Sequence, residues 1–390
     1  MTSHESAIKT YLEESHPQYA ELVRYLYDHP ETGNEEWLAQ EQLTKMLTGL
    51  GFCVTKGAAT PTDFVGVYDS GKPGPVLAYL CEYDALPVVG HGCGHNLIAG
   101  ISLAAAAALK QVIDQTGGTL QVMGCPAEEN FGGKISLAEA GLFNGVDCAM
   151  MLHPSSVNGL GGRSLALIPE RFVFHGRSAH ASRAWEGASA LDAAVSTFNL
   201  LNQLRQFVKP GTNIQGVITD GGKAANVIPE TAQLDYYFRA PSMAYCKEVQ
   251  AKALTSAQAA AQAAGVQFSH FQYETAYDDC LMNYTLGELL QEAFATAGLT
   301  EIEAIVEEPI GSTDVGAVSY RCPTIQGKIK ICGSDVPAHT SDFAAATVSD
   351  AGSKALLDGA FSLALLGLRL LTDPQALAKV QKEFQDSKPI

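Results

Sequence analysis

The sequence predicts an α/β protein of two domains. The first domain has a mixed, mainly parallel sheet covered by helices, and an inserted α+β domain has the ferredoxin-like order βαββαβ. Three observations carry this. The 390 residues exceed what one core sustains, about 250 to 300. Helical and strand patterns alternate over residues 1–168, as in a sheet sandwiched by helices. From about residue 169 the pattern changes to short strands with two helices, and after 284 the alternation resumes. The first domain is therefore 1–168 with 285–390, and the insert is 169–284.

Taken in order, "AIKTYLEESHPQYAELVRYLYDHPET" and "EWLAQEQLTKMLTGLG" carry apolar residues at helical spacing. "FVGVYDS", "GPVLAYL", "TLQVMGC" and "DCAMMLH" read as strands, with the helix "LIAGISLAAAAALKQVIDQ" among them. In the insert, "PERFVFHGRSAHAS" is strand-like, "GASALDAAVSTFNLLNQLRQFV" helical, "NIQGVITDGG" and "TAQLDYYFRAPS" strand-like, "MAYCKEVQAKALTSAQAAAQAAG" helical and "VQFSHFQYET" strand-like. That order builds a small antiparallel sheet with two helices on one face. The chain then continues through the helix "YTLGELLQEAFATAG" and the loops and strands of "AIVEEPIGSTDVGAVSYRCPTIQGKIKI". It finishes in one long amphipathic helix, "DFAAATVSDAGSKALLDGAFSLALLGLRLLT".

Hydrophobic residues at 46% against 17% charged allow a large core and exclude a disordered chain. A formal charge of −17 argues against nucleic acid, whose binding rests on Lys and Arg neutralising phosphates. The N-terminal stretch shows no apolar core of signal-peptide length, no later stretch is read as long and apolar enough to span a bilayer, and the alanine-rich runs are read as short helix formers. The nine cysteines are scattered and odd in number, which places free thiols in a reducing, cytoplasmic compartment.

Polar groups collect where strands end, the usual ligand position in such sheets: "CEYD" follows "VLAYL", "CPAEEN" follows "LQVMG" and "HPSS" follows "CAMML". The groups so placed are Asp84, Cys93, His95, Glu128, Glu129 and His153, joined much later by His339 in "VPAHTSDF". This donor set suits zinc, manganese, cobalt or nickel. A structural zinc site shows two close pairs, whereas here only Cys93 and His95 are close and the rest spread over about 250 positions. Successive glutamates can divide labour, one holding a metal and one accepting a proton from water. Singly, each has an ordinary explanation: a tight turn for Cys-Gly-His, solvated helix surface for the glutamate pair, a hydrogen-bonded strand end for His153, a helix flank for His339. Their joint occurrence at consecutive strand ends favours a catalytic metal site. Two rivals are a hydrolase with Cys93 as nucleophile and His95 as base, which leaves Glu128, Glu129 and His153 without work, and a non-catalytic binding module on the same fold.

In the same order and spacing, "EYDALP", "GHGCGHN", "PAEEN", "LHP", "GRSAHAS", "AANVIPE" and "GSTDVGAVSY" resemble the dinuclear metallopeptidase and amidohydrolase family of aminoacylases and glutamate carboxypeptidases. The hippurate, auxin-conjugate and aminobenzoyl-glutamate hydrolase branch is nearest. The resemblance implies two divalent metal ions held by Cys93, His95, Glu129, His153 and His339, with Glu128 as general base and Asp84 behind the ligands. It also implies that His180 stabilises the oxyanion, that Asn226 lies near the substrate, and that Arg239 holds a carboxylate. The implied reaction is hydrolysis of the amide bond in an N-acyl amino acid, an aminobenzoyl-glutamate-like conjugate or a dipeptide. One departure stands out: Asn96 follows His95 where the commonest motif ends "CGHD", which with "EYDALP" and "GSTDVG" points toward the aminobenzoyl-glutamate and dipeptide-cleaving members. The exposed sheet edge of the insert predicts a homodimer through residues 169–284. The resemblance implies that the insert, as a lid, delivers its histidine to the partner's site.

Overall fold

A computed structural model describes residues 1–309 and 311–387. The chain divides into two compact units, one of Met1–Arg163, Cys280–Glu308 and Asp314–Ile390, the other of Ser164–Asp279 and Pro309–Thr313.

The first unit opens with α1 (Ser3–Asp28), α2 (Trp37–Gly49), β1 (Cys53–Lys56), β2 (Phe64–Asp69), β3 (Val76–Glu82), α3 (His95–Thr116), β4 (Thr119–Cys125), α4 (Gly133–Glu139), β5 (Cys148–Ser155) and β6 (Asn158–Gly159). The second unit contributes β7 (Ala166–His175), α5 (Ala190–Leu204), β8 (Asn213–Asp220), β9 (Thr231–Ala240), α6 (Met243–Ala264) and β10 (Gln267–Phe271). The first unit then resumes with α7 (Tyr284–Thr296), β11 (Ile302–Glu303), α8 (Val315–Ser319), β12 (Thr324–Lys330), α9 (Ser341–Ala346), α10 (Asp350–Thr372) and α11 (Pro374–Ser387).

The sheet of the first unit runs β1-β2-β4-β3-β5-β12-β6-β11. Its centre, β4-β3-β5-β12, is parallel, while β1 and β2 join antiparallel. Both faces are covered, so β3 is apolar on both. Leu77, Tyr79 and Cys81 enter the core shared with α1, α3, α7 and α10, and Ala78 and Leu80 enter the core shared with α4 and α8. Because the central strands run one way, their carboxyl ends share one edge of the sheet.

In the second unit the antiparallel order is β10-β7-β9-β8. Alternate residues of β9, among them Leu234, Tyr236 and Phe238, pack on alanine-rich α5 and α6, and the intervening residues are half-buried.

Several expectations change. The single C-terminal helix is two: the α-helical ladder stops after Ala346 and restarts at Asp350, where the Ser349 hydroxyl accepts from the Gly352 amide as a new N-cap. β7 ends at His175, and the "RSAHAS" segment makes two isolated bridges, Arg177 to Ala188 and His180 to Val227, before it enters a short 3₁₀ turn, Ala181–Glu186. By length and composition α3 and α10 are each apolar enough to cross a bilayer, contrary to the sequence expectation, because small residues raise hydropathy over more than twenty positions. Most of each helix is buried in this unit.

Candidate metal centre

The site in the first unit is built from three strand ends and two helix starts. Asp84 lies just past β3, Cys93 and His95 lie at the start of α3, Glu128 and Glu129 follow β4, His153 is in β5, and His339 precedes α9. Gly94, with φ 85°, begins the helix where a Cβ would stand 2.8 Å from the Pro154 ring, so α3 can approach the end of β5 only through glycine. The His339 amide donates to Gly92 O at 2.8 Å and ties the distant loop to the Cys93 segment.

Donor atoms of Cys93, His95 and His153, of Cys93, Glu129 and His339, and of His95, Glu128 and Glu129 lie within 4.8 Å of one another in each set. All five sequence-derived ligand candidates and Glu128 therefore converge. The histidines are oriented from behind. His95 Nδ1 donates to Asp84 Oδ1 at 2.8 Å and His153 Nδ1 to Pro154 O at 2.8 Å, which leaves each Nε2 as the available lone pair. The second oxygen of Asp84 accepts from the Glu129 amide at 3.1 Å, so one buried carboxylate sets both a histidine and the glutamate turn.

These residues fit a metal. Cys93 Sγ to His153 Nε2 is 3.5 Å, His339 Nε2 to Glu129 Oε1 is 3.6 Å and His95 Nε2 to Glu129 Oε1 is 3.9 Å. The two nitrogen–oxygen separations are long for hydrogen bonds, the sulfur–nitrogen one is an ordinary sulfur contact, and two donors bound at about 2.1 Å in a tetrahedral shell stand about 3.4 Å apart. His95 Nε2 and Glu129 Oε1 are buried without a hydrogen-bond partner among the described residues, a costly arrangement that a cation relieves.

Negative charge is crowded in the site. Burial disfavours protonated His95, but Asp84 and Cys93 outweigh it and hold its pKa well up. Burial, then the carboxylates of Asp314 and Glu82, push the half-buried Glu128 well above the usual carboxylate range, against Lys134 and His95. Burial pushes the Cys93 thiol up to about 12, the opposite of an activated nucleophile, which disfavours the thiol-hydrolase alternative.

Sequence reasoning missed three buried groups, Glu82, Lys134 and Asp314. Glu82 is buried, and its Oε2 lies 3.5 Å from His95 Nε2. Lys134, fully buried, meets Glu82 Oε1 and Asp314 Oδ1 at 2.5 Å each. Glu82 stands two residues before Asp84, and a period of two places both on one face. Lys134 left no such signal.

The remaining candidates belong to the second unit. His180 is exposed, and its Nδ1 accepts from the Ser182 amide at 3.2 Å, so in the neutral ring Nε2 carries the proton. Asn226 is exposed on the neighbouring loop, its carbonyl accepting from Ala181 N at 2.9 Å. Arg239 extends over the Tyr237 ring at 5.7 Å, with Nε buried and without a hydrogen-bond partner among the described residues.

Residues 82–357 match the sequence profile of peptidase family M20/M25/M40. Over 390 aligned residues the chain is 35% identical to the mouse (Mus musculus) Xaa-Arg dipeptidase, covering 96% of this chain and 90% of the mouse protein. It is 28% identical to a p-aminobenzoyl-glutamate hydrolase polypeptide of Escherichia coli (strain K12), covering 97% and 95%. Its fold is similar to that of a dinuclear metal binding peptidase from the M20 family of Bacillus subtilis, with TM-score 0.67 and 19% identity, covering 91% of this chain and 99% of that one.

Proposed function

The chain belongs to peptidase family M20/M25/M40, and from that premise we propose that it hydrolyses the amide bond of a dipeptide, an N-acyl amino acid or an aminobenzoyl-glutamate-like conjugate. In this proposal Cys93, His95, Glu129, His153 and His339 hold two divalent cations, zinc or manganese before cobalt or nickel. The convergence of these donors, with both histidine Nε2 atoms freed by partners behind them, is the observation that carries the proposal.

Bound there, such cations polarise the scissile carbonyl and make water more acidic. Glu128 takes the proton of the attacking water on a carboxylate oxygen and returns it to the leaving amine. Asp84 keeps His95 in one tautomer and, through the Glu129 amide, keeps the glutamates in place. His180, with its Nε2 proton available, donates to the oxyanion. Arg239, aided by Asn226, holds the α-carboxylate that an Xaa-Arg dipeptide and aminobenzoyl-glutamate have in common. A guanidinium nitrogen buried without a partner among the described residues supports that role.

Assays of the manganese- or zinc-loaded protein on dipeptides, N-acyl amino acids and aminobenzoyl-glutamate test this, since turnover on none would remove it. For Arg239→Ala, kcat/KM on a carboxylate-bearing substrate falls far more than on its amide-capped analogue, because only the former makes charge-assisted bonds. Equal losses would make Arg239 structural.

The second unit, as a ferredoxin-like lid, also serves for homodimerisation in this proposal. Val217 and Ile218, exposed on the edge strand β8, support it. If the lid histidine serves the partner's site, coexpressing His180→Ala and Glu128→Ala yields about a quarter of wild-type activity from two inactive proteins, since half the dimers are mixed and each mixed dimer has one intact site of two. No recovery despite exchange of protomers places His180 in its own chain's site or outside catalysis. A cytoplasmic, reducing setting is proposed as well, supported by nine cysteines that are all free thiols.

A further inference from the structure

Glu36 occupies the N-cap position of α2, where a side chain ordinarily accepts from the second or third amide of its own helix. It makes no such bond. The α2 amides are met instead by Glu31, whose oxygens accept from Leu38 N at 3.1 Å and Ala39 N at 2.9 Å. Glu36 is thereby free to turn inward, where it is completely buried. One oxygen accepts from the Thr62 hydroxyl at 2.6 Å and the other from the Ala127 amide at 2.9 Å.

Ala127 is the residue before the glutamate pair, and its φ of 58° is a left-handed conformation that non-glycine residues seldom adopt. Its carbonyl accepts from Phe131 N at 3.1 Å and Gly132 N at 2.8 Å, closing the turn that carries Glu128 and Glu129. On its other side the clamp is anchored to the site, because Tyr83, between Glu82 and Asp84, donates through its hydroxyl to Thr62 O at 2.6 Å. A carboxylate buried with only neutral hydrogen-bond donors among the described residues breaks a local rule, and such breaks mark functional sites more often than elsewhere.

We propose that Glu36 is a positioning residue, holding the Ala127 amide so that the left-handed turn aims Glu128 and Glu129 into the metal centre. This rests on the roles proposed above for the two glutamates. Glu36 itself touches no reacting atom.

Three variants test it by steady-state kinetics on a cleaved dipeptide and by manganese(II) titration of metal-stripped protein. Glu36→Gln keeps an acceptor oxygen for Ala127 N and stays within about threefold of wild type in kcat. Glu36→Ala loses about tenfold to a hundredfold in kcat with KM little changed, and manganese affinity falls by about tenfold. Adding Ala127→Gly to Glu36→Ala recovers about threefold or more of both, because glycine holds a positive φ without the clamp. The proposal is overturned if Glu36→Gln is as damaged as Glu36→Ala, if Glu36→Ala matches wild type, or if Ala127→Gly recovers nothing. Should Glu36→Ala not fold, Glu36→Asp, one methylene too short to reach both partners, takes its place with the same two outcomes. The manganese readout acts through Glu129, so it reports on the turn even if Glu128 proves not to be the base.

Discussion

Glu128→Gln keeps the wild-type metal complement and loses about two or more orders of magnitude in kcat, the scale of a missing general base. The amide has the shape of the carboxylate but cannot take a proton from water and return it to an amine. Its neighbour behaves differently. Glu129 Oε1 stands 3.6 Å from His339 Nε2 and 3.9 Å from His95 Nε2, between two other donors, so Glu129→Gln loses metal first and activity in consequence. Metal content measured beside kcat separates the two residues. A Glu128→Gln protein that has lost its metal, or that keeps most of its activity, overturns the division of labour.

Removal of metal has the second large effect. Dialysis against a chelator abolishes turnover, added zinc or manganese restores it, and the stripped protein melts lower. The physical reason is the surplus of negative charge: Glu82, Asp84 and Glu129 all lie within 3.9 Å of His95, while Lys134, the cation beside them, is paired with Glu82 and Asp314. A cation bound to the folded state alone contributes about 2.7 kcal/mol at a concentration 100 times its dissociation constant. His95→Ala reproduces the loss and adds to it, because Asp84 Oδ1 is left buried without its donor and only Oδ2 keeps one, the Glu129 amide. A cysteine nucleophile predicts the reverse, full activity after chelation, so a chelator-resistant enzyme refutes the metal assignment.

What could be read from the chain was whatever is repeated locally or spelled in short motifs. β3 reads as a strand from "VLAYL" because a strand covered on both faces needs an unbroken apolar run, and α5 and α6 read as helices from alanine-rich patterns of helical period. Cys93, His95, Glu128, Glu129, His153 and His339 could be named in advance because metal chemistry admits few side chains, although only Glu128, Glu129 and His153 stand at strand ends while the others stand at helix starts. The break at Thr347–Ser349 was not legible, since Ser349 and Gly352 are compatible with a continuing helix until the serine hydroxyl is seen capping a new one.

The sequence by itself determined the periodicities that make the sheets and helices and the chemical types of donor available at the strand ends. Only the tertiary structure decided which nitrogen of each histidine is offered, that Lys134 rests between Glu82 and Asp314, and that Glu36 leaves its own helix to hold Ala127. Most of these are polar contacts made by buried groups distant in sequence. Local periodicity carries no term for such contacts, because a buried carboxylate finds its donor through the parallel register of β3, β4 and β5, which bring their carboxyl ends to one edge.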